Sequence, residues 1–371
     1  MPKIIDLFAG AGGLSLGAAR AGFEVSAAVE IDEFAVSTHK KNFPGSLHLS
    51  EDVATLSGDR LLLLSGLKKG EVDGIIGGPP CQGFSVMGKQ DEKDSRNNLF
   101  QHFFRLVAEL KPAFFLAENV PGILHTKYDK IRSDAFALLG DEYDLLDPIE
   151  VKANLYGAPT TRTRIFFLGF SRKRFKSSLA AVDFAAASDV EQIVVKKALK
   201  GLPIDIDPNW LSAEEGWRPV GKLEDGKFFE RIANSVPKGI GDAVSLKRYL
   251  EKGFVSGCMG TRHSAEVAKR YERLGYGESD KISKAIKLHP DGFCPTLRAG
   301  TARDKGSFQA VRPIHFKMAR VITPREAARL QGFPDWFVFH DTKWHSFRQI
   351  GNSVSPLVSE ALLQKIFDNL N

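Results

Sequence analysis

The chain has 371 residues, 43% hydrophobic and 26% charged, with a net charge of +6. That balance excludes a disordered chain, no apolar run is long enough to span a bilayer, and the length allows one large domain with an insertion, or two domains. Three cysteines, Cys81, Cys258 and Cys294, stand far apart without Cys-x-x-Cys spacing, so neither a metal site nor a disulfide framework is expected, which suits a reducing compartment.

Residues 3–8 read as an apolar strand, after which Gly10, Gly12 and Gly13 open a helix-like stretch to Ala21. No charged-then-apolar leader precedes that strand, and a cytoplasmic location is the expectation. Residues 25–29 predict a second strand ending at Glu30, and residues 72–76 a further strand ending at Gly77-Gly78-Pro79-Pro80-Cys81-Gln82-Gly83. Leu99, Phe103, Leu106, Val107 and Leu110 recur at helical spacing, which predicts an amphipathic helix over 98–111. Pro112 ends it, and residues 113–117 return as a buried strand ending at Glu118. Residues 165–169 predict one more strand, antiparallel, with Arg162 and Arg164 at its beginning.

This alternation predicts an α/β domain with a mainly parallel sheet. From 171 to 317 the pattern dissolves into basic clusters and scattered glycine and proline, which reads as a separate small domain or a large insertion. Regularity returns at Thr323-Pro324-Arg325-Glu326, a capping box with proline at the first helical position, and Gly332 is placed to stop that helix. A last helix is predicted from Pro356.

The expected strands end at Gly10, Glu30, Cys81 and Glu118, and ligands of open α/β sheets bind along that edge. The glycine turn fits a dinucleotide, S-adenosylmethionine, or simply a tight turn, and Glu30 is placed to accept hydrogen bonds from ribose hydroxyls. Two prolines fix the backbone before Cys81, and flanking glycines let another group come close. A small buried hydrophobe needs none of this, so Cys81 reads as a nucleophile. Glu118 is a candidate acid or hydrogen-bond partner at the same edge. Arg162 and Arg164 alternate along a strand and share one face.

Six sequence blocks, in order, carry a resemblance. They are Phe8-Ala9-Gly10-Ala11-Gly12; Pro79-Pro80-Cys81-Gln82; Glu118-Asn119-Val120; Arg162-x-Arg164; Arg325 to Pro334; and Gln349-Ile350-Gly351-Asn352-Ser353-Val354. The chain resembles the DNA cytosine-C5 methyltransferase family over residues 1–170 and 318–371. The resemblance implies a Rossmann-like, S-adenosylmethionine-dependent domain interrupted by a smaller target recognition domain at 171–317. It implies methyl transfer to C5 of a flipped cytosine in duplex DNA, with Cys81 attacking C6. Glu118 would hold N3, Arg164 would donate to O2, and Arg162 would support the same site.

By the same resemblance the methyl donor would lie among Phe8, Ala9, Gly10, Gly12, Leu14, Glu30, Ile31, Asp52, Val53, Pro79, Leu99, Asn352 and Ser353. Gln82, Ser85, Arg298, Thr301, Arg303 and Lys305 would meet DNA. Thr160 stands where the family usually has glutamine, and an adjusted backbone or phosphate contact is expected there. The resemblance further implies a monomer, associated with the nucleoid through DNA and working beside a cognate restriction endonuclease. A branch of the family acting on tRNA is the alternative with the same chemistry.

Overall fold

The structure is a computed structural model that describes residues 1–80, 98–208, 216–234, 236–299 and 311–370. Its first part alternates as expected: β1 (Lys3–Leu7), α1 (Gly13–Arg20), β2 (Glu24–Val29), α2 (Glu33–Asn42), β3 (Leu47–Leu49), α3 (Gly58–Ser65), β4 (Gly74–Gly77), α4 (Asn98–Leu110) and β5 (Phe114–Asn119). Then come α5 (Asp129–Ala137), β6 (Tyr143–Leu145), β7 (Ile149–Lys152) and β8 (Thr163–Ser171).

Eight strands form one sheet in the order β3-β2-β1-β4-β5-β8-β6, with β7 also pairing with β8. The pairs among β1 to β5 are parallel, whereas β8 runs antiparallel to β5, as its arginines at the start suggested. Parallel strands covered on both faces carry apolar side chains toward both. Here Ile4, Phe114, Leu116, Phe166 and Leu168 face one core, and Ile5, Phe115, Ala117, Ile165 and Phe167 the other. The fold class read from the sequence is therefore borne out, and β5 is longer than expected. It runs on through Glu118 and Asn119, which pair with Phe166 and Ile165 of β8. Glu118 thus sits inside a strand, not past its end.

After β8 the elements are short: α6 (Val195–Ala198), β9 (Arg218–Pro219), α7 (Lys227–Ala233), α8 (Ala243–Lys252), β10 (Phe254–Val255) and α9 (Ala265–Arg273). β9 and β10 make a separate two-stranded sheet. Apolar side chains of this stretch, among them Val195, Phe228 and Ile232, share the core that α1 borders. The chain closes with α10 (Pro324–Leu330), α11 (Lys343–Asn352) and α12 (Pro356–Phe367). The capping box at α10 is formed: Thr323 Oγ1 accepts from Glu326 N at 3.2 Å, and Glu326 Oε2 accepts from Thr323 N at 2.7 Å. Gly332 follows it at φ +86°.

The last helix returns to the first helix and locks on it. Ser359 Oγ donates to Gly13 O at 2.9 Å, and a Cβ on Gly17 would run into Ser359 Oγ and the Glu360 backbone nitrogen. Only a glycine lets these two backbones come so close. Gly17→Ala should therefore cost about 1–3 kcal/mol through overpacking, against its gain in helix propensity. Urea unfolding at constant m-value would show it as a lowered midpoint, and an unchanged midpoint would contradict this packing.

Candidate functional site

The carboxyl ends of β1, β2, β4 and β5 and the amino end of β8 meet at one edge of the sheet. At β1 the chain turns with positive φ at Phe8 (59°), Gly10 (56°) and Gly12 (98°). A side chain at Gly12 would strike the Phe43 ring, and one at Gly13 the Val354 carbonyl. The turn is thus wedged between α2 and the end of α11. At Gly10, by contrast, a Cβ would meet nothing within 4 Å. The turn presents bare backbone toward open space.

Glu30 stands beside that ledge with both carboxylate oxygens engaged. Oε2 accepts from Gly10 N at 2.9 Å and Oε1 from Asp32 N at 2.8 Å. Burial raises its pKa, and these amide bonds oppose the rise. Ile31, the next residue, is 68% exposed, an apolar surface at the rim. Asp52 is exposed and spends Oδ1 on Ala54 N. Val53, Leu14, Ala9 and Pro79 are buried, Phe8 and Leu99 half-buried. At this edge Glu30 is bonded directly to the glycine turn through Gly10 N, with Ile31 exposed beside it.

Ser353 is buried and Asn352 exposed where α11 ends. Ser353 O accepts from Gln331 Nε2 at 2.8 Å. Farther along α11, Gln349 Oε1 accepts from Thr38 Oγ1 at 3.1 Å and its Nε2 donates to Phe34 O at 2.9 Å. These bonds tie α11 to α2.

At the β5–β8 end, Arg164 Nε lies 2.7 Å from Glu118 Oε1, and both groups are largely buried. The register makes Arg164 a diagonal neighbour of Glu118 on one face. Gly78 opens the other flank, since a Cβ there would lie 3.2 Å from Glu118 Oε2. Asn119 Nδ2 donates to Pro79 O at 3.4 Å, so the end of β5 holds the segment that leads into Cys81. Cys81, Gln82 and Ser85 lie outside the described residues, as do Thr301, Arg303 and Lys305. The two described cysteines are buried thiols: burial pushes Cys258 up to about 12 and Cys294 higher. Neither is a nucleophile at neutral pH.

Arg162 shares the face of Arg164 but spends its donors on the protein. Nη1 donates to Gly351 O at 2.9 Å and Leu297 O at 3.3 Å, and Nη2 to Asn352 O at 3.2 Å. It is a bracket between β8, the 297 loop and the end of α11. Gly351 completes that joint, because a Cβ there would come within 2.5 Å of Ala299 N. Arg298 beside it is exposed. Thr160 is fully buried and its hydroxyl has no partner among the described residues, so it is not available to a phosphate. Of the two contacts expected there, the backbone one is present: Thr160 N donates to Ala158 O at 2.8 Å and the residue bridges to Cys294.

One feature of the edge was missed in the sequence. Ser15 Oγ donates to Asp6 Oδ2 at 2.6 Å, His39 Nε2 lies 3.0 Å from Ser15 Oγ, and His39 Nδ1 lies 2.9 Å from His48 Nε2. This polar chain runs under the glycine turn. Burial pushes Asp6 up to about 7 and, with His48 alongside, holds His39 well below its ordinary value. The available signal was an aspartate inside an otherwise apolar strand.

The family model for C-5 cytosine-specific DNA methylases matches residues 2–368. The Type II methyltransferase M.XorII of Xanthomonas oryzae is 39% identical over 97% of this chain and 83% of its own length. M.DdeI of Desulfomicrobium norvegicum is 33% identical over 100% of this chain and 90% of its own. A crystal structure of a candidate DNA modification methyltransferase encoded within an E. coli prophage superposes with a TM-score of 0.89 at 51% identity, covering both chains in full. The Dnmt2 methyltransferase of S. pombe shares the fold at a TM-score of 0.64 and 18% identity, again over both whole chains.

Asp6 gives the pH dependence a sign. Its folded pKa lies above that of the unfolded chain, so between about pH 4 and 7 the folded state holds more protons. Stability from this group is therefore full below pH 4, falls as pH rises through that window, and stays lost above it. In urea unfolding from pH 4.5 to 8, Asp6→Asn should gain on the native chain as pH rises. Parallel curves would contradict the assignment.

Proposed function

Because the chain belongs to the C-5 cytosine-specific DNA methylase family, we propose that it methylates C5 of a flipped cytosine in duplex DNA through a covalent bond from Cys81 to C6. The observation that carries this is the Glu118–Arg164 pair beside Gly78, three residues before Cys81 in the chain. A carboxyl and a guanidinium at one point match the N3 and O2 edge of a cytosine ring.

Cytosine C5 is a weak nucleophile until C6 carries a substituent. The Cys81 thiolate adds to C6 and forms the S–C6 bond, while Glu118 holds a proton at N3 and Arg164 donates to O2. The ring electrons then reside on C5. S-adenosylmethionine, when bound, supplies a methyl group on a sulfonium centre, electrophilic enough for C5 to take. Loss of the C5 proton to a water-mediated base returns the electron pair to the ring, and the S–C6 bond breaks to release Cys81.

Pro79 and Pro80 stiffen the approach to Cys81, and Asn119 fixes Pro79 from β5. Glu30 would bind ribose, Asp52 the adenine amine, and Ile31 the face of the base. Phe8, Ala9, Gly10, Gly12, Leu14, Val53, Pro79, Leu99, Asn352 and Ser353 would enclose the rest. Arg162 acts as a positioning residue, not as a group touching the base. The target base cannot be reached inside a duplex, so it must be flipped.

We read 171–317 as the target recognition domain, with exposed Arg298 at its contact with the catalytic edge, and 1–170 plus 318–371 as the catalytic domain. The relatives are Type II methyltransferases, and the same reading gives this enzyme the protective role beside a nuclease of like specificity. No helix among the described residues is long and apolar enough to cross a membrane.

The test is a duplex carrying 5-fluorocytosine, whose C5 fluorine cannot leave as a proton does. A one-to-one protein–DNA adduct by mass spectrometry is expected with S-adenosylmethionine. Cys81→Ser should give none, and Glu118→Gln should lower kcat about 10²- to 10⁴-fold. Normal methylation by Cys81→Ser, or equal transfer to tRNA and mixed-sequence duplex DNA, would contradict this reading.

A further inference from the structure

A cavity of about 320 Å³ opens between the start of α11 and segments of the stretch that joins β8 to α10. That is far more room than one water needs, and it falls in the range of small-ligand sites. Much of its wall is made of rings. Trp344 and Phe347 come from α11, and Tyr271 comes from α9 with His263 edge-on to it, 5.2 Å between ring centres. Tyr271 is buried, whereas Trp344 is 41% exposed. The Arg312 guanidinium lies over the Phe347 ring, 4.3 Å from its centre. Aromatic rings and guanidinium planes are the surfaces on which unstacked bases lie.

The polar groups of the wall decide the kind of ligand. Lys343 and Arg312 are cations, and no carboxylate lines the cavity among the described residues. Burial lowers both, Arg312 to about 10, still charged at neutral pH. Lys343 Nζ donates to Gly260 O at 2.8 Å and to Thr261 Oγ1 at 2.9 Å, which leaves the Thr261 hydroxyl its own hydrogen. Ser283 Oγ accepts from Tyr271 OH at 3.1 Å and from Ala285 N at 3.3 Å, and it too keeps a hydrogen. His263 Nε2 accepts from Val321 N at 3.3 Å, so the ring hydrogen sits on Nδ1. Ring faces, donors and positive charge do not suit an amine or a metal ion. They suit a flat heterocycle with acceptors on its edge and a phosphate on its sugar.

The cavity also lies close to the base edge. Arg312 Nη1 donates to Arg298 O at 3.1 Å, and Leu297 O, one residue before, accepts from Arg162 Nη1 at 3.3 Å. One loop thus separates it from the Glu118–Arg164 pair. We propose that the cavity receives a second nucleotide of the DNA, turned out of the stack near the target cytosine, with its base among Trp344, Tyr271 and His263 and its phosphate toward Arg312. Stacking on Trp344 replaces the stacking lost in the duplex. A base that must enter here is read by its size and its acceptors, so the cavity helps to set the sequence around the target. This rests on the reading of the chain as a DNA-acting enzyme, but not on the covalent step.

The test is photochemical. Duplexes that the full chain retains from a random-sequence pool are remade with one base at a time as 5-iodouracil, 5-iodocytosine, 8-bromoadenine or 8-bromoguanine. Under ultraviolet light one of the four should crosslink to Trp344, Tyr271 or His263, located by peptide mass spectrometry. Trp344→Ala should weaken binding of the retained duplexes about 5- to 150-fold, and Trp344→Phe should keep most of it, with melting temperature as the check on folding. The same four analogues as single nucleotides separate the two sources of a nucleotide. Crosslinks from these alone, crosslinks confined to residues elsewhere, or unchanged DNA binding by Trp344→Ala would each overturn the proposal. Normal methylation without a crosslink in the cavity would sink this proposal and spare the chemistry. A crosslink there from a chain that leaves host cytosines unmethylated would do the reverse.

Discussion

Antiparallel pairing of β8 on β5 is the constraint from which the site follows. Opposing Phe166 to Glu118 and Ile165 to Asn119 puts Arg164 diagonally across from Glu118, within 2.7 Å. A shift of one residue would send Arg164 to the opposite face and leave Glu118 buried without its cation. The register is itself fixed by the cores: Phe166 and Leu168 must enter one and Ile165 and Phe167 the other. Hydrophobic sorting on two faces therefore sets the geometry of a polar pair at the strand's end.

The same economy links the two ends of the chain. α12 returns to α1 because Gly17 and Ser359 allow close contact. That return delivers the 351–355 turn to the glycine loop on one side and to the arginines on the other. Arg162 holds the junction through three carbonyls, one of them from the stretch between β8 and α10. The end of α11, the start of β8 and the 297 loop thus share a single buried guanidinium. Displacing any one of them would strain the other two.

Much of this was legible in the residues themselves. Alternating apolar runs gave the parallel strands, and Thr323-Pro324-Arg325-Glu326 gave the α10 start. Local pattern failed wherever the partner is distant in sequence. How Arg162 supports the site could not be read locally, because its acceptors, Leu297, Gly351 and Asn352, lie more than a hundred residues away. β5 seemed to end before Glu118 because a polar pair at a strand end reads as a turn until β8 supplies the hydrogen bonds. Asp6 was passed over as one odd letter in a strand, since His39 and His48 sit on elements beyond its local window. The stretch after β8 gave no period because its elements are short and bury their apolar residues against the main core.

The most direct measurement is of the DNA itself. DNA from a host expressing this chain, digested to nucleosides for mass spectrometry and sequenced after bisulfite conversion, should contain 5-methylcytosine at one defined sequence. A host expressing Cys81→Ser should lack it. N4-methylcytosine, N6-methyladenine or unmodified DNA from the native chain would contradict the account.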